Sequence, residues 1–78
     1  LVKDYLIWLT GGQFINGTMT DAEAARLMET YKSQAAGVQS FTDTDGQLLL
    51  TMDSIQALSI NEPGAKKAIG YDQNTGKS

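Results

Sequence analysis

The residues best placed to do chemistry are Asp43, Asp45 and Asp53, which bracket Gly46 in the stretch FTDTDGQLLLTMDSIQALSI. Alternating carboxylates followed by glycine are what a calcium loop supplies, with acids at its first, third, fifth and twelfth positions and glycine at the sixth. With Gly46 as the sixth position, Asp43 and Asp45 fill the third and fifth. The first then falls on Phe41 and the twelfth on Met52, and neither can ligate calcium. The flanks also fail, because Val38 to Thr42 reads as a strand. Asp45-Gly46 between two β-like runs is instead a hairpin turn signal. Asp43 and Asp45 are therefore turn residues and Asp53 starts the following turn; a loose cation site shared by the three is the alternative. No metal and no cofactor is assigned.

Other chemistries are bounded by what the chain lacks. It has 78 residues with no cysteine and no histidine. A thiol nucleophile, a Ser-His pair and an imidazole acid or base are excluded, and so is zinc held by Cys and His. Catalysis would rest on Asp, Glu, Lys and Tyr, and no pair of these is spaced to imply a shared site. No catalytic residue is assigned, and a non-enzyme is expected. The net charge of −3 argues against nucleic acid, whose backbone is bound through Lys and Arg. Trp8 reads either as a stacking platform for a base or as a core residue, and core is the reading kept. Lys66-Lys67 reads as part of a solvated stretch. No apolar run approaches the roughly 20 residues of a membrane span, and no signal peptide is visible, so the expected location is cytoplasmic without membrane association.

These residues must be positioned by four elements. Tyr5 to Leu9 suits a strand, and the following glycines suit a tight turn. Gly11-Gly12 and Asn16-Gly17 compete for it, and a turn at both would leave too short a strand between. With the turn at Gly11-Gly12, Leu9 faces Phe14, Trp8 faces Ile15 and Leu6 faces Gly17, and Asn16-Gly17 becomes a bulge or kink. One face then carries Leu6, Trp8, Ile15 and Met19. The other carries Tyr5, Ile7, Leu9 and Phe14, with Asn16 and Thr18.

The next segment is helical. Thr20 is an N-cap with Glu23 at the capping-box spacing, and Asp21 and Glu23 favour the positive end of the helix dipole. That acidic first turn also speaks against an anion site there. Ala24, Leu27, Met28, Tyr31 and Ala35 form one apolar stripe, and Gly37 stops the helix. In the second hairpin a turn at Asp45-Gly46 sets Phe41 against Leu50 and Asp43 against Leu48. Phe41, Leu48, Leu50 and Met52 then share a face. IQALSI is a last short strand. Residues 61–78, poor in apolar side chains and rich in Pro, Gly and Asn, are expected to be a disordered tail beyond a single domain of residues 1–60.

The expected fold class is α+β, a small ββαββ(β) domain of antiparallel hairpins with one helix, with barrel-like closure left open. In GTMTDAEA (Gly17 to Ala24) and DSIQALSI (Asp53 to Ile60) the chain resembles a loose group of small uncharacterised proteins of Gram-positive bacteria and their phages. The resemblance implies a small α+β fold and carries over no functional residue.

The second apolar face of the first hairpin, Tyr5, Ile7, Leu9 and Phe14, is the candidate partner-binding surface. Contiguous apolar patches mark interfaces, and a domain this small gains stability from association. Burial of that face in a closed monomer is the competing reading. The function expected is a non-enzymatic interaction or accessory module, a homo-oligomer or the partner of another protein. A small-barrel nucleic-acid binder of the Sm-like or OB-like type is the alternative.

Overall fold

The computed structural model describes residues 1–64. Strand β1 (Val2–Leu9) turns into β2 (Phe14–Thr20), helix α1 (Asp21–Lys32) follows, then β3 (Val38–Asp43) and β4 (Gly46–Thr51), a 3-10 turn at Met52–Ser54, and β5 (Ile55–Asn61). The strands form two antiparallel sheets, one ordered β2-β1-β5 and one of β3 and β4. The α+β class holds, but the sheets do not close into a barrel.

The first turn is where expectation and structure part. The Leu9 N–H donates to the Gln13 carbonyl and the Gly12 N–H to the Leu9 carbonyl, so Thr10, Gly11 and Gly12 form the loop. Gly12 takes φ +96°, the left-handed position that completes a three-residue hairpin loop. This extra loop residue slips the register by one from the expected pairing: Trp8 faces Phe14, Ile7 faces Ile15 and Tyr5 faces Gly17. A one-residue slip sends every side chain of one strand to the other side of the sheet. Phe14 therefore does not share a face with Tyr5, Ile7 and Leu9. Nor do Asn16 and Gly17 bulge; they lie in the regular ladder.

Tyr5, Ile7, Leu9, Ile15 and Met19 turn inward. Ile7, Met19, Leu27 and Phe41 are the largest fully buried side chains, in one core that also takes in Tyr5, Ala24, Leu50, Met52 and Ile55. Gly17 is needed there: a Cβ would lie 2.8 Å from the Tyr5 Oη. The Tyr5 ring fills the space that the missing side chain of Gly17 leaves.

Helix α1 starts as expected, with the Thr20 hydroxyl accepting from the Glu23 N–H at 3.1 Å. It ends earlier. Ser33 is the C-cap, and Gln34 at φ 61° takes the left-handed position after it. Its N–H donates to the Tyr31 carbonyl and that of Ala35 to the Thr30 carbonyl, the paired bonds of a Schellman ending. Gly37, φ +80°, comes after the helix, ahead of β3. Ala24 and Leu27 are buried, whereas Met28 is exposed and Ala35 lies outside the helix.

The second hairpin pairs Phe41 with Leu48 and Asp43 with Gly46, two residues away from the expected register. An even slip keeps each side chain on its face, so Phe41, Leu48 and Leu50 still point to the core. Thr44 and Asp45 form the turn, with Asp at its first position and Gly at its fourth, the preference of type I. β5 pairs antiparallel with β1 with a bulge at Trp8/Leu9, which makes β1 the central strand. It includes Asn61, and the Gly64 N–H donates to Asp4 at 3.0 Å. The rest of the expected tail, 65–78, lies outside the described residues.

Candidate functional site

The residues expected to bind a partner are divided by the sheet. Tyr5 and Ile7 are 4% and 0% exposed, and Leu9 is half-buried against the same core. Phe14, 58% exposed, stands alone of the four on the outer surface. The candidate surface of the first hairpin is thus its opposite face. Alternation along β1 puts Leu6 and Trp8 there, and the register adds Phe14 and Ala57 on either side of Trp8. Trp8, which the sequence suggests is core, is half-buried on this outer face.

Polar groups close one end of the patch. Asp4, two residues before Leu6, accepts from the Thr18 hydroxyl at 2.7 Å and from the Gly64 N–H. These two bonds, the Thr18 one foremost, hold its carboxyl below the usual range. At the other end Trp8, Leu9, Gly12, Gln56 and Ala57 line a shallow depression of about 420 Å³, where the bulge separates β5 from the turn. Of the remaining outward residues, Asn16, Thr18, Thr20, Ser59 and Asn61 are polar and uncharged, and Val2 lies beside Thr20 beyond Asp4. An aromatic centre with a polar rim is the make-up of a protein-binding patch.

The aspartates of the calcium-loop question have structural work. The Tyr5 hydroxyl donates to Asp43 Oδ2 at 2.5 Å, and Asp43 Oδ1 accepts from the amides of Asp45 and Gly46 at 2.8 and 3.0 Å. The Tyr5 bond is the main cause that lowers the Asp43 pKa, and the two amides add to it. Burial, and then the same carboxylate, push the Tyr5 phenol well above its ordinary value. Asp53 accepts from the Gly37 N–H at 3.3 Å. Among the described residues no three of His, Cys, Asp and Glu are grouped to hold a metal ion.

One arrangement has no signal in the sequence. The Glu23 carboxylate binds the Arg26 guanidinium at 2.7 and 3.0 Å and also accepts the Thr42 N–H at 2.6 Å. Arg26 in turn donates to the Ser40 carbonyl at 2.6 Å and lies 4.5 Å over the Phe41 ring. Glu23 and Arg26 together satisfy the side of β3 that faces away from β4, as a neighbouring strand would. The helical spacing of the pair was visible; its reach across to β3 was not. The capping box is accordingly half made, because Glu23 is engaged with Arg26 and β3.

Comparison with protein-family models, curated proteins and solved structures finds no match. No helix among the described residues is long and apolar enough to cross a membrane.

Proposed function

We propose that this chain is a small non-enzymatic interaction module that docks a protein partner on the outer face of the β2-β1-β5 sheet. The observation that carries the reading is Phe14 standing 58% exposed directly across from Trp8. Leu6 and Ala57 extend the patch on the neighbouring positions of β1 and β5. Natural sheets turn polar residues to solvent when one face is free, so aromatic side chains kept there argue for a surface that is covered when the module works. An accessory or regulatory role of the phage or Gram-positive kind is the setting suggested by the Gly17–Ala24 and Asp53–Ile60 stretches. A base-stacking role for Trp8 is disfavoured by charge, since Asp4 is the sole ionisable residue on that face among the described strands.

A photo-crosslinking residue at position 14, with a second variant carrying it at the exposed position 28, tests the reading in extract of the source cell. We expect a discrete adduct from position 14 that excess unlabelled protein removes and excess Phe14→Glu protein does not. Equal labelling from both positions, or equal competition by the variant, would refute the docking face. So would a saturable change in Trp8 emission on adding single-stranded oligonucleotide, which would assign the face to nucleic acid.

A further inference from the structure

We infer that two copies of this chain pair through the free edge of β4, antiparallel and about a twofold axis at Leu49. This is a second surface, on the other sheet from the docking face, and it stands independently of that reading. The backbone phase of β3 and β4 defines it. Ser40 and Thr42 turn their carbonyl and amide toward Arg26 and Glu23, so they point away from β4. Residues directly opposite in an antiparallel ladder share that phase. Leu49 opposite Ser40, Gln47 opposite Thr42 and Thr51 opposite Val38 therefore direct their N–H and C=O groups away from β3, along the outer side of β4.

Among the described residues no strand lies on that side, since β4 has β3 as its one sheet neighbour. The other edges are each blunted at some point. Glu23 and Arg26 cover β3, the Thr44 N–H donates to the Thr18 carbonyl of β2 at 2.8 Å, and the Tyr31 hydroxyl donates to the Gln56 carbonyl of β5 at 3.1 Å. An open edge is a template for another strand, and natural proteins protect edges with charge, proline or bulges. β4 carries none of these in GQLLLT. At its middle it holds Leu49, 66% exposed.

The occupant that fits is a second copy. Outward along β4 the order is Gln47, Leu49, Thr51: polar, apolar, polar. Reversed on itself, that order places Leu49 beside Leu49 of the second copy and Gln47 beside Thr51 in both halves, a self-complementary contact. Each of these residues then exchanges both backbone bonds with its opposite number. The strand is uncharged, so copies of a chain of net charge −3 meet there without like charges in the ladder. The nearest acids, Asp45 and Asp53, lie just beyond its ends. Their mutual repulsion is screened by salt, so association strengthens as salt is added.

Light scattering after size exclusion, over a concentration series, reads the mass of the wild type and of Leu49→Lys, with circular dichroism confirming that the variant is folded. We expect the wild-type mass to double with concentration, more readily in salt, and the variant to stay single. Leu49→Cys adds a register test in a chain without cysteine. Directly opposed residues lie about 5.5 Å apart, within disulfide reach, so oxidation should link this variant faster than Gln47→Cys. A wild type that stays single at every concentration overturns the inference. So does a Leu49→Lys variant that doubles like the wild type, or a Gln47→Cys variant that links as fast as Leu49→Cys. Trp8 emission separates the two surfaces: it should not change as the dimer forms. A shift would move the contact to the docking face and overturn the pairing through β4.

Discussion

At Tyr5 a single side chain ties the two sheets together. Its ring fills the space over Gly17 of β2, and its hydroxyl donates to Asp43 at the end of β3. The bond also sets a pH dependence with two limbs. Asp43 is held below its ordinary value of 3.8, so its contribution to stability is complete above that value and drains as pH falls through its folded pKa. Tyr5 is raised above its ordinary 10.0, so its contribution is complete below that pH and drains as pH rises beyond it. Tyr5→Phe should cost about 1–2 kcal/mol at neutral pH, the range of a hydrogen bond whose loss strands a partly buried acceptor. It should also flatten both limbs of a urea-midpoint curve measured against pH. Limbs as steep as those of the wild type would mean that the pair is not what links stability to pH. Gly17→Ala should disturb the same bond from the other side, because its Cβ forces Tyr5 off Asp43.

The elements differ in how far the residues betray them, and the reason is parity. The helix was legible from Thr20, the acidic first turn and the apolar spacing, and the second hairpin from Asp45-Gly46. The second turn lies one residue earlier than Asp45-Gly46, which moves the pairing by two, and an even shift leaves Phe41, Leu48 and Leu50 on the core side. At the first turn the pairing moves by one, because Gly11-Gly12 can serve a two-residue or a three-residue loop equally well. That odd shift exchanges the two sides of β1 relative to β2: Tyr5, Ile7 and Leu9 go to the core, Leu6 and Trp8 go to the surface beside Phe14, and the candidate site moves with them. Pairing of β5 with β1 was not legible, since nothing in IQALSI specifies its partner. Gly37 is the expected stop of α1 because glycine is the usual left-handed residue there; Gln34 takes that conformation instead. The left-handed region costs a non-glycine residue roughly 1 kcal/mol. Gln34→Gly should therefore stabilise the domain by about that amount, raising the melting temperature by roughly 4–8 °C for a chain of this size. An unchanged or lower melting temperature would show that the Gln34 side chain contributes enough to offset its backbone.

For the molecule as a whole, the two sides of the first hairpin divide stability from binding, and a charge placed on each reads the division. A domain of this length has roughly 3–10 kcal/mol of stability at about 0.05–0.15 kcal/mol per residue. Ile7 is fully buried between the two sheets and the helix. A carboxylate there would be surrounded by apolar side chains with no cation to pair with, and an unpaired buried charge belongs with the substitutions that cost more than about 4 kcal/mol. Ile7→Glu should accordingly unfold the chain at neutral pH, seen as loss of its circular dichroism signal and of its cooperative melt. Phe14→Glu, one position along the ladder from Ile7's partner Ile15, places the same charge on the solvent side. Surface changes of that kind usually fall within about 0.5 kcal/mol, so this variant should melt close to the wild type while losing the partner. Ile7→Glu and Phe14→Glu proteins that both stay folded and both lose the partner would restore the register with its turn at Gly11-Gly12, in which Phe14 shares the binding face with Tyr5, Ile7 and Leu9.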